Sequence, residues 1–276
     1  TYLCKNHSFS KIIMEQESIW IALSLTLVAG MATGIGSLIA FLAKKTNTKF
    51  LSASLGLSAG VMIYVSFMEL MPEAANEFAR IYSESTAQAL MLGAFLSGIL
   101  LIALIDRLVP EDENPHEVHS MEEHGGKSRL KRTGILMALA IGIHNFPEGL
   151  ATFTTALTSM DIALPIVFAI AIHNIPEGIA VSVPIYHATG SRRKAFWYSF
   201  LSGLSEPVGA LFGFLFLLPF WSVELNAFLL AFVSGIMVYI SFDELLPGTE
   251  KYGHHHLGVG GVVLGMLIMG ISLILL

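Results

Sequence analysis

Residues 60–72, Gly-Val-Met-Ile-Tyr-Val-Ser-Phe-Met-Glu-Leu-Met-Pro, recur as residues 235–247, Gly-Ile-Met-Val-Tyr-Ile-Ser-Phe-Asp-Glu-Leu-Leu-Pro. The offset is 175 residues, Glu244 minus Glu69. A membrane span needs about 20 mostly apolar residues at about 1.5 Å of rise each. Eight stretches of the chain qualify: 18–43, 50–71, 87–109, 133–157, 162–187, 195–219, 225–247 and 257–276. The repeat lays span 2 over span 7. Their separation of five spans is odd, so the second copy runs through the membrane in the opposite direction. Gly34 falls on Gly209 at the same offset and extends the match to spans 1 and 6. Inverted repeats of this kind are a mark of secondary transporters.

Composition agrees with an all-α integral membrane protein. Of 276 residues, 54% are hydrophobic and only 13% charged, where a soluble domain carries about 25% charged residues. Mean hydropathy is +0.69. The net charge of −6 argues against a nucleic-acid partner. Cys4 is the only cysteine, which excludes an intrachain disulfide and a cysteine-rich metal cluster. Residues 1–17 form a polar N-terminal segment without the pattern of a cleavable signal. Residues 18–276 are expected to form a single transmembrane domain. Its one long connection, 110–132, is polar and carries His116, His119 and His124.

The distribution of basic residues sets an orientation. With both termini outside, 12 of the 15 lysines and arginines fall on inner loops and flanks. Lys5, Lys11 and Arg80 are the other 3. The positive-inside rule therefore supports both termini outside, an even span count and a cytoplasmic 110–132 loop. The run His254-His255-His256 falls on the same side, where a solvated loop and a weak chelating patch are equally open readings.

A second repeat carries the chemistry. His144-Asn145-Phe-Pro-Glu148-Gly in span 4 returns as His173-Asn174-Ile-Pro-Glu177-Gly in span 5. On a helix the His, Asn and Glu of each copy share one face. Each proline removes a backbone donor and leaves the carbonyl four residues earlier, of Ile143 or Ile172, without its helical partner. The turn between the spans lies near 158–161. His144 with Glu177 and Glu148 with His173 have the same midpoint, 160.5. Each histidine should therefore face the other helix's glutamate, near the bilayer midplane. Glu206, followed by Pro207, lies at similar depth in span 6. Ionisable groups at bilayer depth mark function, and three carboxylates in low dielectric repel one another unless cations or protons balance them. A nitrogen and oxygen donor set without thiolate suits Zn(II), Fe(II), Mn(II) or Co(II). Glu69, Asp243 and Glu244 lie near span ends, where a solvated helix end and a gate or relay are both open. The small residues Gly30, Gly34, Gly93 and Gly98 are expected to pack helices.

At HNFPEG, HNIPEG and the span-6 stretch SGLSEPVG (residues 202–209) the chain resembles the Zrt/Irt-like (ZIP) metal transporter family, most closely its bacterial zinc-uptake, ZupT-type branch. The resemblance covers residues 18–276. It implies a three-plus-two-plus-three arrangement of eight helices and uptake of divalent metal, zinc foremost with Fe, Mn, Co and Cd in range. It also implies a multi-pass protein of the bacterial inner membrane, a homodimer, and a binuclear mid-membrane site. By motif, His144, Glu148, His173 and Glu177 resemble first-site ligands. Asn145, Asn174 and Glu206 resemble second-site ligands, with Glu148 and Glu177 bridging. It further suggests movement of spans 1, 4, 5 and 6 against spans 2, 3, 7 and 8. Many relatives carry an acidic residue where Asn145 or Asn174 stands, so the second site here bears less charge.

Two other functions use similar residues. An intramembrane metalloprotease needs His-Glu-X-X-His, with the glutamate as base between two histidines. Here each motif has one histidine, with its glutamate at the second ligand position, so a transporter without enzymatic activity or resident cofactor is expected. An exporter could use the same site, and the family resemblance is what favours uptake.

Overall fold

The computed structural model describes residues 16–42, 48–108, 127–158, 160–251 and 253–275. Every long element among them is helical, as a chain crossing hydrocarbon requires when its backbone must satisfy its own hydrogen bonds. In order these are α1 (Gln16–Leu42), α2 (Thr48–Val65), α3 (Met71–Ala79), α4 (Glu84–Leu108), α5 (Lys127–Thr158), α6 (Met160–Thr189), α7 (Arg192–Gly203), α8 (Ser205–Phe212), α9 (Val223–Ile240), α10 (Leu246–Lys251) and α11 (His255–Leu275). Seven helical stretches among the described residues are long and apolar enough to cross a membrane. The 32-residue α5, which carries the first motif and overlaps the stretch 133–157 expected as span 4, is not one of these seven.

The boundaries differ from expectation in three places. The segment expected as loop 110–132 is helical from Lys127 onward, because Lys127, Arg129, Lys131 and Arg132 are good helix formers that prolong the apolar run behind them. Residues 109–126, with His116, His119 and His124, lie outside the described residues. Spans 2 and 7 do not end at the acidic residues of the first repeat. Each passes through a five-residue π-helical segment, Ser66–Leu70 or Ser241–Leu245, and resumes as α3 or α10. Glu69, Asp243 and Glu244 therefore sit inside continuous helices rather than at their ends. The proline that follows each segment, Pro72 or Pro247, cannot donate to the carbonyl four residues back, and a widened turn absorbs that gap. The two copies of the repeat adopt the same local structure.

Packing sorts the helices into two groups. In one, α1 packs on α5, α6, α7 and α8, and α5 packs on α6 and α8. In the other, α2 packs on α11, and α9 on α3 and α4. The groups meet where α2 crosses α6 and α9 crosses α5, the crossings that an inverted repeat relates to each other. Contacts inside the first group are close. A methyl on Gly178 would overlap the Thr33 carbonyl, and one on Gly36 the Ile175 carbonyl, so only glycine lets α1 and α6 approach this far. Of the other small positions, Gly30 and Gly98 also meet carbonyls and Gly34 meets Phe200, whereas Gly93 faces open space. The first group is linked by short reversals. Residue 159 alone separates α5 from α6, and Gly190, at φ 65, ends α6 before Ser191 caps α7 by accepting from the Lys194 amide.

Candidate metal site

The second repeat places its polar faces on α5 and α6, two adjacent antiparallel helices. Pro147 lies inside α5 without ending it, so Asn145 and Glu148 keep the helical spacing that aligns them. Asn145, Glu148, His173, Asn174, Glu177 and Glu206 are all buried, none more than 1% exposed. His144 stands on α5, but its side chain lies outside the described residues. The facing expected from the shared midpoint is seen in one layer, where His173 Nε2 lies 3.2 Å from Glu148 Oε1.

The third carboxylate arrives from another helix. Span 6 breaks at Leu204, between α7 and α8, and Glu206 occupies the first turn of α8. Pro207 contributes no amide proton there, so the helix restarts instead of running through. Close approach of α8 to α5 depends on two glycines: a methyl on Gly149 would strike the Glu206 carbonyl, and one on Gly209 the Phe146 carbonyl. This contact brings Glu206 within electrostatic reach of both Glu148 and Glu177. Asn174 Nδ2 donates to Glu206 Oε1 and, at 3.0 Å, to the Ala29 carbonyl of α1. From the other helix group, Ser58 Oγ of α2 donates to the His173 carbonyl at 3.3 Å. Ala29 and Ser58 had no sequence signal, since a backbone acceptor can belong to any residue and serine is common in packed spans.

Among the described residues, the His173–Glu148 pair is the part of this cluster already at ligating separation, and no group of three His, Cys, Asp or Glu side chains surrounds one point. Neither Asn145 amide atom has a hydrogen-bond partner among the described residues. Glu69 and Asp243 are partly buried and Glu244 is buried, all in the π-helical segments. His254 Nε2 lies 3.1 Å from Thr48 Oγ1, and the exposed His255 Nδ1 lies 3.2 Å from Glu250 Oε1. These two histidines have local polar partners at a helix end.

Apolar helices long enough to span a bilayer, enclosing carboxylate, imidazole and amide groups at the break of a third helix, define a multi-pass membrane protein with a polar centre. The comparisons agree. The family model described as ZIP zinc transporter matches residues 107–273. The zinc transporter ZupT of Streptococcus mutans is 56% identical over 260 residues, covering 94% of this chain and 98% of that protein. Those of Nitratidesulfovibrio vulgaris and Akkermansia muciniphila are 54% and 53% identical, each covering 95% of this chain and 99% of the relative. The chain belongs to the ZIP zinc transporter family. Membership in a family of transporters sets aside the metalloprotease reading.

Proposed function

We propose that this protein takes up divalent transition-metal ions, zinc foremost, across the bacterial inner membrane into the cytoplasm. The observation that carries the reading is the burial of Glu148, Glu177 and Glu206 together, from α5, α6 and α8, beside His173 and Asn174. Three enclosed carboxylates need positive charge to remain ionised, and a divalent ion supplies it. His144, Glu148, His173 and Glu177 hold a first ion in this reading. Asn145, Asn174 and Glu206 hold a second, with Glu148 and Glu177 bridging. The unbonded amide of Asn145 suits a ligand role. Glu69, Asp243 and Glu244 serve as gate or relay positions between the membrane faces and the site.

The same reading has eight spans in a three-plus-two-plus-three order, with α5 as the fourth. Both termini lie outside and the 110–132 connection on the cytoplasmic side, as the basic residues favour. Residues 18–276 act as one transport domain behind the polar segment 1–17. The family resemblance supports assembly as a homodimer and a range that includes Fe, Mn, Co and Cd. The test is metal flux into sealed vesicles holding the purified protein, with competing ions. Zinc should enter and be competed by cadmium, cobalt, manganese and ferrous iron. Zinc entry no faster than into protein-free vesicles would overturn the reading.

A further inference from the structure

A small cavity lies beside Glu148 on α5, between the two helix groups. Its α5 wall carries Glu148, Thr152 and Thr155, at successive turns toward the α5–α6 reversal. Those residues rise about 10 Å along the helix axis. The facing wall is apolar: Val65 and Leu70 on the chain from α2, and Val233 and Met237 on α9. The clear space is that of roughly one water molecule.

Thr152 is the member of this wall whose hydroxyl has no hydrogen-bond partner among the described residues. A threonine within a helix commonly returns its hydroxyl to a carbonyl one turn back. Thr154 Oγ1 does so, donating to Ala151 O at 2.9 Å, and Thr26 Oγ1 donates to Leu23 O at 2.9 Å. Thr152 is 0% exposed, yet its hydroxyl makes no such bond and has no hydrogen-bond partner among the described residues. A buried hydroxyl left unpaired is costly, and this one lines the cavity one turn beyond Glu148. Valine fills nearly the same volume without that cost.

We propose that this cavity is the closed form of the passage joining the metal site to the membrane face at the α5–α6 turn, and that Thr152 is a polar rung that contacts the partly hydrated metal ion there. The inference rests on the transport reading above. Its walls belong to different helix groups, so separating the groups widens the passage without unfolding either. Opposite the apolar wall, the Thr152 oxygen, between Thr155 and Glu148 on α5, replaces part of the hydration that the ion loses before it reaches Glu148.

The test combines flux with thiol labelling. Thr152→Val should lower zinc uptake about tenfold at unchanged protein level, the size expected when one contact to a cation is lost. Thr152→Ser should recover most of that loss. Thr152→Cys in a Cys4→Ser background should react with a membrane-impermeant methanethiosulfonate added on the α5–α6 face, and saturating zinc should slow the reaction. Uptake by Thr152→Val equal to that of the unmodified chain overturns the proposal, as does a Thr152→Cys thiol closed to reagent from both faces in a transporting protein. Those results leave the transport reading standing, whereas absence of flux in the unmodified chain removes both.

Discussion

Glu148 touches more of this protein's chemistry than any other residue described. Its carboxylate pairs with His173, reaches Glu206 electrostatically and lines the cavity toward the α5–α6 turn. Replacing Glu148 or Glu177 by Ala should lower zinc uptake on the order of a hundredfold or more with expression intact, because it removes one partner from a buried charge cluster. Full-rate uptake by either variant, measured with radioactive zinc, would show that the cluster is not the transport site. Glu206→Gln isolates charge from geometry. The glutamine oxygen can still accept from Asn174 Nδ2, so the change should shift the competition profile among metals more than the maximal rate. An unchanged profile would place Glu206 away from the ions. Ligating carboxylates and imidazoles must be deprotonated, so protons compete with metal. Apparent zinc affinity should weaken as pH falls from about 7 to about 5, and calorimetry in buffers of different ionisation enthalpy should register proton release on binding. Affinity flat across that interval, with buffer-independent heats, would refute the competition.

At the scale of elements, the site depends on how closely helices approach. Gly149 faces the Glu206 carbonyl across the α5–α8 contact, so Gly149→Ala must move one helix or the other. Such overpacking costs about 1–3 kcal/mol, and it displaces Glu206 from Glu148 and Glu177. The variant should lose thermal stability in detergent and most of its transport. Gly93→Ala, whose added methyl meets open space, is the matched control and should behave as the unmodified protein. Equal melting temperatures for the two variants would show that the contact tolerates movement. The π-helical segments are elements that the repeat foreshadows but does not specify. The matched prolines mark where a carbonyl loses its partner, while the choice between a helix end and a widened turn depends on whether the following residues find packing. Here α3 packs on α4 and α9, and α10 packs on α2, so both helices continue.

For the molecule as a whole, the transport reading assigns the polar connection 110–132 no step in the passage of metal. Changing His116, His119 and His124 together to Ser should leave most of the flux at saturating zinc, with any effect confined to low metal concentration. Complete loss at saturation, in the same vesicle assay, would put the connection on the transport path. Apolar run length, the repeat offset and the His-Asn-X-Pro-Glu-Gly spacing are properties of neighbouring residues, and the sequence by itself determined them: a helical membrane protein, inverted repeats, and six polar positions that are buried in the structure. Helical periodicity also predicted that His173 would face Glu148, because antiparallel neighbours joined by a short turn have their register set by residue count. Only the tertiary structure decided what lies farther apart along the chain. It brought Ala29 to Asn174, Ser58 to His173, and the walls of the Thr152 cavity together from α2, α5 and α9. Those meetings depend on how closely distant helices pack and how each is rotated about its axis, quantities to which no local pattern of residues corresponds.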